Sequence, residues 1–354
     1  MKSEMTHRER ILAAINHNPT DRVPTDYWGV PEITQKLMKH FDVSNMVGLA
    51  KALDIDKIMG VDVPLKPGDR KNMWDIETQL VQQPGEMGHY EEPVSFPLAG
   101  FETIDEIEAN YKWPTIEMFD YSTVKEQCKF YQKEGYAVEG GYISLGYFYQ
   151  ITRGIEEMLY DLAAEEKLAE YIIFKLNEFS SAHVTRILEE ADGLIDITQV
   201  TDDFGTQADL MISESMIEKY FGSYYDTNIK TAKSYNAKVF HHNDGAITKI
   251  IPWIVSKGCE ILNPLQWHLP GWDLYELKNK FGDKLCFHGG IDNQSVLPFG
   301  SVDEVKVEVE ACIDALYSNN TGYILAPCHC IQSITPLENI LTMYKHARDY
   351  STMK

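Results

Sequence analysis

From residue 137 onward the chain alternates between two hydrophobic patterns. Short runs rich in apolar and β-branched residues cover 137–147 (AVEGGYISLGY), 193–200 (GLIDITQV), 237–242 (AKVFHH), 259–266 (CEILNPLQ), 284–290 (KLCFHGG) and 322–327 (GYILAP). These read as strands. Between them, apolar positions recur at helical spacing over 151–163, 166–190, 213–234, 246–257, 272–280, 302–317 and 335–350. Strand, helix, strand with short connections implies parallel strands joined by right-handed crossovers. Ser213-Glu-Ser, Ser301-Val-Asp-Glu304 and Thr335-Pro-Leu-Glu338 are cap-plus-acid helix starts, the last with Pro336 at the first helical position.

The first third is less regular. Ile11, Leu12 and Ile15 share one side of a short N-terminal helix. Residues 54–60 read as a strand, and 74–99, with QQPGEMG between β-like flanks, as a hairpin excursion. No Gly-, Ser- or Pro-rich linker divides the chain. The pattern therefore predicts an α/β fold: one (β/α)8 TIM-barrel domain over residues 1–354, with an N-terminal helical segment and the hairpin. There is no G-x-G-x-x-G after a strand and no P-loop, which argues against nucleotide binding.

Charge narrows the function. The 354 residues carry 32 Lys and Arg against 54 Asp and Glu, a net charge of −22, which excludes a nucleic-acid partner held through phosphates. The balance of 44% hydrophobic and 24% charged residues fits a folded globular protein. No run reaches the roughly 18 apolar residues of a membrane span, and the first residues lack the apolar stretch of a signal peptide. Six cysteines are too sparse for a disulfide framework, so a cytoplasmic setting is expected.

In a barrel, chemistry sits at the C-terminal ends of the strands. Five strands in succession end in ligand-type or acid/base side chains. These are Thr201-Asp202-Asp203-Phe204-Gly205-Thr206-Gln207, His241-His242-Asn243-Asp244, Asn263-Pro264-Leu265-Gln266, His288-Gly289-Gly290 and Cys328-His329-Cys330. His242 and Asp244, two apart at a strand end, share a face and can chelate a divalent metal. Cys328, His329 and Cys330 lie across a small mouth, and one of them can complete a set of three protein ligands with an open position, as in a catalytic zinc site. Alternatively, Asp244 caps a helix beginning near Ala246, and Cys328 and Cys330 are small buried hydrophobes. Asp202 and Asp203 point to opposite faces, so one can enter the mouth while the other holds the loop. Asp202, His242 and His288 are the candidate catalytic residues. Tyr142, Asp203, Gln207, Asn263 and Gln266 are the candidate substrate contacts. Tyr142, Tyr147, Phe148 and Tyr149 form either core or a wall for a flat ligand, and Arg153 reads as a salt-bridge residue.

Six segments carry a resemblance: 5–24 (MTHRERILAAINHNPTDRVP), 153–163 (RGIEEMLYDLA), 201–213 (TDDFGTQADLMIS), 239–266 (VFHHNDGAITKIIPWIVSKGCEILNPLQ), 287–305 (FHGGIDNQSVLPFGSVDEV) and 322–340 (GYILAPCHCIQSITPLENI). Through them the chain resembles the uroporphyrinogen decarboxylase superfamily along nearly its whole length. The resemblance implies a (β/α)8 barrel with its active site in the mouth. The decarboxylases hold their polycarboxylate substrate with an arginine-bearing segment of the type M-R-Q-A-G-R, whereas residues 23–31 here read VPTDYWGVP, with no arginine. The other branch, corrinoid-dependent methyltransferases of one-carbon metabolism and O-demethylation, is the closer likeness. It implies transfer of a methyl group between a partner corrinoid (cobalamin) protein and a small acceptor, a thiol such as coenzyme M or tetrahydrofolate. Coenzyme M enzymes of this type carry a zinc pattern H-x-C followed much later by C. Here aspartate stands at Asp244 where the first cysteine is expected. Anchored on Thr335-Pro336 and Glu338-Asn339, the distant one falls on or beside His329. The resemblance thus implies zinc as the metal, a corrinoid protein and a methyl acceptor as partners, and a homodimer as one possible assembly. Competing expectations are decarboxylation of a smaller acid and a non-catalytic corrinoid- or metal-binding accessory protein.

Overall fold

The computed structural model describes residues 5–68, 70–83 and 87–353. Its strands are β1 (Met59–Gly60), β2 (Thr78–Gln82), β3 (His89–Pro93), β4 (Val138–Ser144), β5 (Ile197–Thr201), β6 (Lys238–His242), β7 (Ile261–Asn263), β8 (Cys286–Ile291) and β9 (Tyr323–Pro327). Seven of them form one curled parallel sheet in the order β1-β4-β5-β6-β7-β8-β9, with helices between successive strands. Eight strands were expected in this sheet; among the described residues seven pair as strands. Residues 24–26 run beside them. Asp26 N donates to the Leu325 carbonyl and Leu325 N to the Pro24 carbonyl, each at 2.9 Å, while Asp56 N donates to the Thr25 carbonyl. Pro24 has no N–H to give, so this stretch makes an isolated bridge rather than a ladder.

The N-terminal half of the sheet is filled and closed. Ile197, Phe240, Ile261, Cys286 and Ile324 come from five neighbouring strands and form one buried cluster with Ile58 and Ala137. The helix His7–Ile15 adds Ile11, Ala14 and Ile15 to that cluster, with Leu12 packed against it. Its start is fixed by a full capping box between Thr6 and Glu9. The open end of the sheet is therefore the one where the strands finish.

The local chemistry refines several expected boundaries. Residues 145–147, expected to extend a strand, begin the helix Leu145–Arg153. The Asp202 carboxylate causes this: its Oδ1 accepts from Gly146 N at 2.6 Å, Tyr147 N at 3.0 Å and Ser144 Oγ at 3.1 Å, satisfying donors that a helix start leaves free. A Cβ on Gly146 would sit 3.0 Å from that oxygen. Gly154, at φ 88°, then separates this helix from Ile155–Ala164. Ser213 and Ser301 cap their helices as expected. Pro336 is instead itself the cap residue of Leu337–Thr352, in extended backbone, and the Thr335 hydroxyl has no partner. The helix after β6 starts at Ile251 and follows a short 3₁₀ turn, so Asp244 does not cap it.

The hairpin excursion is present as antiparallel β2 and β3, its turn residues Pro84-Gly85-Glu86 lying outside the described residues. Its inner end reaches the strand ends: Ser333 N donates to the Met87 carbonyl at 3.1 Å, and Gln332 Nε2 to Tyr90 Oη at 2.9 Å. Arg153 pairs with Asp161 and Glu157, each at 2.9 Å. Among the described residues no helix is long and apolar enough to cross a membrane.

Candidate metal and substrate site at the strand ends

The loops after β5 and β6 are pressed backbone to backbone. A Cβ on Gly205 would lie 2.2 Å from the Asp244 carbonyl, and one on Gly245, at φ 95°, would lie 2.6 Å from the Thr206 carbonyl. Only glycine tolerates that approach. Phe204 N donates to Asn243 Oδ1 and Asp244 N to Asp203 Oδ1, at 3.0 and 3.1 Å. Asp203 and Asp244 are thereby fixed beside one another.

His242 Nε2 lies 3.7 Å from both Asp203 Oδ1 and Asp244 Oδ2. His329 Nε2 lies 3.9 Å from Asp244 Oδ2, and the two imidazoles are 5.8 Å apart, centre to centre. His242, Asp244 and His329 are the one group of three among the described residues whose ligand atoms could share a metal ion, all within 4.8 Å of one another. Ligand atoms of a tetrahedral zinc stand about 3.3 Å apart for metal–ligand bonds of about 2.0–2.1 Å. The two imidazole-to-Asp244 separations, 3.7 and 3.9 Å, are about half an ångström more open. Asp244 Oδ2 is the oxygen facing both imidazoles, and the second carboxylate oxygen, Oδ1, is buried without a hydrogen-bond partner. Burial pushes the Asp244 carboxyl up and the His329 imidazole down, and each opposes the other's shift. A lowered imidazole is neutral, the form that ligates.

Alternation along the strands decides which expected residues reach this point. Asp202 is 1% exposed; its Oδ1 serves the helix start and its Oδ2 accepts from Tyr225 Oη at 3.3 Å. Burial pushes its carboxyl up to about 7. Its neighbour Asp203 faces the mouth. In the same way His241 is fully buried and donates Nδ1–H to the Val200 carbonyl, whereas His242 faces the mouth. Cys328 continues the β9 pairing, its N–H donating to Ile291, and its Sγ donates to the Leu265 carbonyl at 3.2 Å. Burial raises that thiol well above its ordinary pKa, and it is His329, not Cys328, that lines the mouth. His288 is fully buried rather than open to substrate; it bonds Asn263 Nδ2 at 2.8 Å and Asp26 Oδ2 at 3.0 Å. Asn263 is likewise buried, with Oδ1 2.5 Å from His242 Nδ1. Both stand beneath the mouth, behind His242.

Two chambers open from the His329 ring. One, about 400 Å³, is lined by carboxamides: Gln83, Gln207, Gln266, Asn293, Gln294 and Gln332, together with Asp244 and Tyr90. The other, about 500 Å³, is lined by Tyr90, Tyr142, Tyr147, Phe96, Glu91, Glu92, Asp203 and His242. Tyr142, Gln207 and Gln266 thus border open space, although Gln266 Oε1 also accepts from Gly245 N. Neither lining includes Lys or Arg among the described residues.

Three contributors escaped the sequence pattern. Trp28 packs against His242, His288 and His329 at 5.6, 5.8 and 6.4 Å between ring centres, and its Nε1–H donates to Asp26 Oδ2. Tyr90 arrives from the hairpin. Glu139, on β4, bonds Gln199 Nε2 at 2.5 Å, and burial pushes its carboxyl up to about 7. A charged residue inside the apolar run AVEGGYIS is the sequence signal that could have marked Glu139.

A metal-capable group at the C-terminal ends of a curled parallel sheet, flanked by chambers of ligand size, defines an enzyme-type pocket. The Uroporphyrinogen decarboxylase (URO-D) family model matches residues 144–350, and the chain belongs to that family. Among solved structures, a methyltransferase from Methanosarcina mazei superposes at TM-score 0.69 with 18% identity, covering 98% of this chain and 99% of that one. A B12-independent methionine synthase from Shewanella sp. W3-18-1 gives TM-score 0.48 at 10% identity, covering 93% and 97%. No curated protein sequence matches significantly.

Proposed function

We propose that this protein moves a methyl group between a corrinoid carried by a partner protein and a small acceptor seated in the mouth, on a complete (β/α)8 barrel. The observation that carries the reading is the His242–Asp244–His329 group, with its unsatisfied carboxylate oxygen, at the junction of two open chambers. Two chambers suit a reaction in which donor and acceptor approach one point from different sides, since holding both in line removes much of the barrier. Family membership and a methyltransferase among the structures of the same fold support it.

His242, Asp244 and His329 would hold a zinc ion with a position left for substrate. Bound there, zinc would polarise the acceptor's nucleophilic atom and favour its deprotonated form. The chain's own residues supply the rest. Asp203, 3.7 Å from His242 Nε2, is placed to accept the acceptor's proton. Trp28 closes the floor of the mouth behind the three histidines and keeps water out. Tyr142 and Tyr147 wall the acidic chamber, 39% and 37% exposed, and with Phe96 offer flat apolar surface to an incoming corrinoid face.

The carboxamide chamber favours tetrahydrofolate over coenzyme M as acceptor. Gln207, Gln266, Gln332 and Asn293 can pair with the donors and acceptors of a pterin ring, whereas a sulfonate would meet the Asp244 carboxylate and, among the described residues, no Lys or Arg. The same absence of Lys and Arg disfavours decarboxylation of a small acid. The test is to mix zinc-replete protein with methylcobalamin, or its methylated corrinoid partner, and tetrahydrofolate or a thiol, and to follow the cobalt spectrum. Demethylation with one acceptor is expected, faster with tetrahydrofolate. Tight corrinoid retention without demethylation by either acceptor would instead indicate an accessory role.

A further inference from the structure

We infer that Asn263, with His288 and Asp26 behind it, is a positioning residue that locks His242 in the tautomer bearing its free lone pair at Nε2, toward the mouth. The argument is one of donors and acceptors. Asn263 Nδ2 lies 3.3 Å from the His288 backbone carbonyl, which can only accept. The amide is therefore oriented with nitrogen toward His288; rotated half a turn, it would set two oxygens against each other. The same Nδ2 is 2.8 Å from His288 Nδ1, so that ring atom is the acceptor and His288 carries its proton on Nε2. Nε2–H then donates to Asp26 Oδ2 at 3.0 Å. Asp26 is a carboxylate, held so by Lys57 Nζ at 3.2 Å from Oδ1 and by the Trp28 indole N–H at 3.1 Å from Oδ2.

At the other end, the orientation of the amide leaves Oδ1 facing His242 Nδ1 at 2.5 Å. An amide oxygen can only accept, so His242 donates from Nδ1, and in the neutral ring the unprotonated nitrogen is Nε2. That atom lies 3.7 Å from Asp203 and Asp244. A solvated neutral imidazole prefers the opposite tautomer, with the proton on Nε2. The chain from Asp26 to Asn263 reverses that preference before any ligand arrives. Every group in it is buried, His288 and Asn263 completely and His242 to 9% exposure, so water cannot substitute for a missing partner. A histidine whose remote nitrogen is fixed in this way is oriented for ligation.

The tautomer stands on these contacts alone; its consequence for zinc rests on the metal reading above. The test uses the full, metal-free chain labelled with 15N-histidine, at about pH 8, above the ordinary histidine range. Long-range proton–nitrogen correlations, assigned to His242 by loss of its signals in His242→Gln, are expected to show Nδ1 protonated and Nε2 bare. A protonated Nε2 in the wild-type protein overturns the inference, whether or not zinc binds. Asn263→Ala is expected to shift His242 toward the Nε2–H form and to weaken zinc binding about 10–100-fold. Unchanged tautomers in Asn263→Ala would refute the role of Asn263. If the variants fail to fold, the wild-type spectrum decides alone. A wild-type protein with the expected tautomer but no zinc affinity would leave this inference standing and remove the metal reading instead.

Discussion

Removing His329 takes one of three ligand atoms from the proposed metal set and leaves His242 and Asp244 in place. Structural zinc sites with four protein ligands bind with about 10–16 kcal/mol, or about 3 kcal/mol per ligand, so His329→Ala should weaken zinc about 100-fold. The effect can be read as heat stability. Free zinc at about 1,000 times the wild-type dissociation constant stabilises the folded chain by about 4.1 kcal/mol; the same zinc is only about ten times the variant's constant and gives about 1.4 kcal/mol. A chain of 354 residues unfolds with an entropy of about 0.7 kcal/mol/K, so these convert to rises in Tm of about 6 and 2 °C. Differential scanning calorimetry with and without zinc measures both. His40→Ala, at an exposed helix end, should keep the full rise. A full zinc-dependent rise in His329→Ala, or none in the wild-type protein at saturating zinc, would refute the reasoning.

Two groups whose pKa is shifted by desolvation should give pH dependences of opposite sign, each measured by urea unfolding. His183 is held neutral by burial, its pKa lowered to about 4, so the unfolded chain binds the proton first and stability falls as pH drops from about 6.5 towards 4. His183→Gln should flatten that limb by about 2–3 kcal/mol, and an unchanged slope would contradict the assignment. Glu139 has the reverse linkage. Its folded pKa is raised to about 7, so the stability it contributes is present in acid and is lost as pH rises from about 4.5 to 7. Glu139→Gln should therefore match the wild type at pH 4.5 and exceed it by about 1–2 kcal/mol at pH 8; equal stability at pH 8 would count against it. Gly245→Ala places a Cβ 2.6 Å from the Thr206 carbonyl at a left-handed φ of 95°, and should cost about 2–4 kcal/mol while loosening Asp244. Wild-type unfolding midpoints in that variant would show that the two loops can separate without cost.

The sequence made the alternation of strands and helices legible because parallel strands, buried on both faces, read as continuous apolar runs. The same rule located the mouth, since polar residues clustered where each run ended. Alternation then separated neighbours that composition cannot rank. Asp202 and Asp203 look equivalent in sequence, yet one caps the helix at Leu145 and the other faces His242. Cys328 and His329 look equivalent too, until the pairing of Cys328 N–H with Ile291 turns its thiol away. What stayed hidden was long range. Asp26 meets His288 across 262 residues, and Tyr90 meets Gln332 across 242, contacts with no local period to betray them. The strand-like run at 145–147 misled because its helix is started by a carboxylate 55 to 56 residues away.

The central claim is that His242, Asp244 and His329 converge on one divalent ion. The direct measurement is an anomalous difference map, collected on both sides of the zinc absorption edge, from crystals grown with zinc. The account predicts one strong peak at about 2.0–2.2 Å from His242 Nε2, an Asp244 carboxylate oxygen and His329, with a coordination position open to the chambers. A mouth without a peak, or a zinc held elsewhere while these three side chains remain apart, would contradict it.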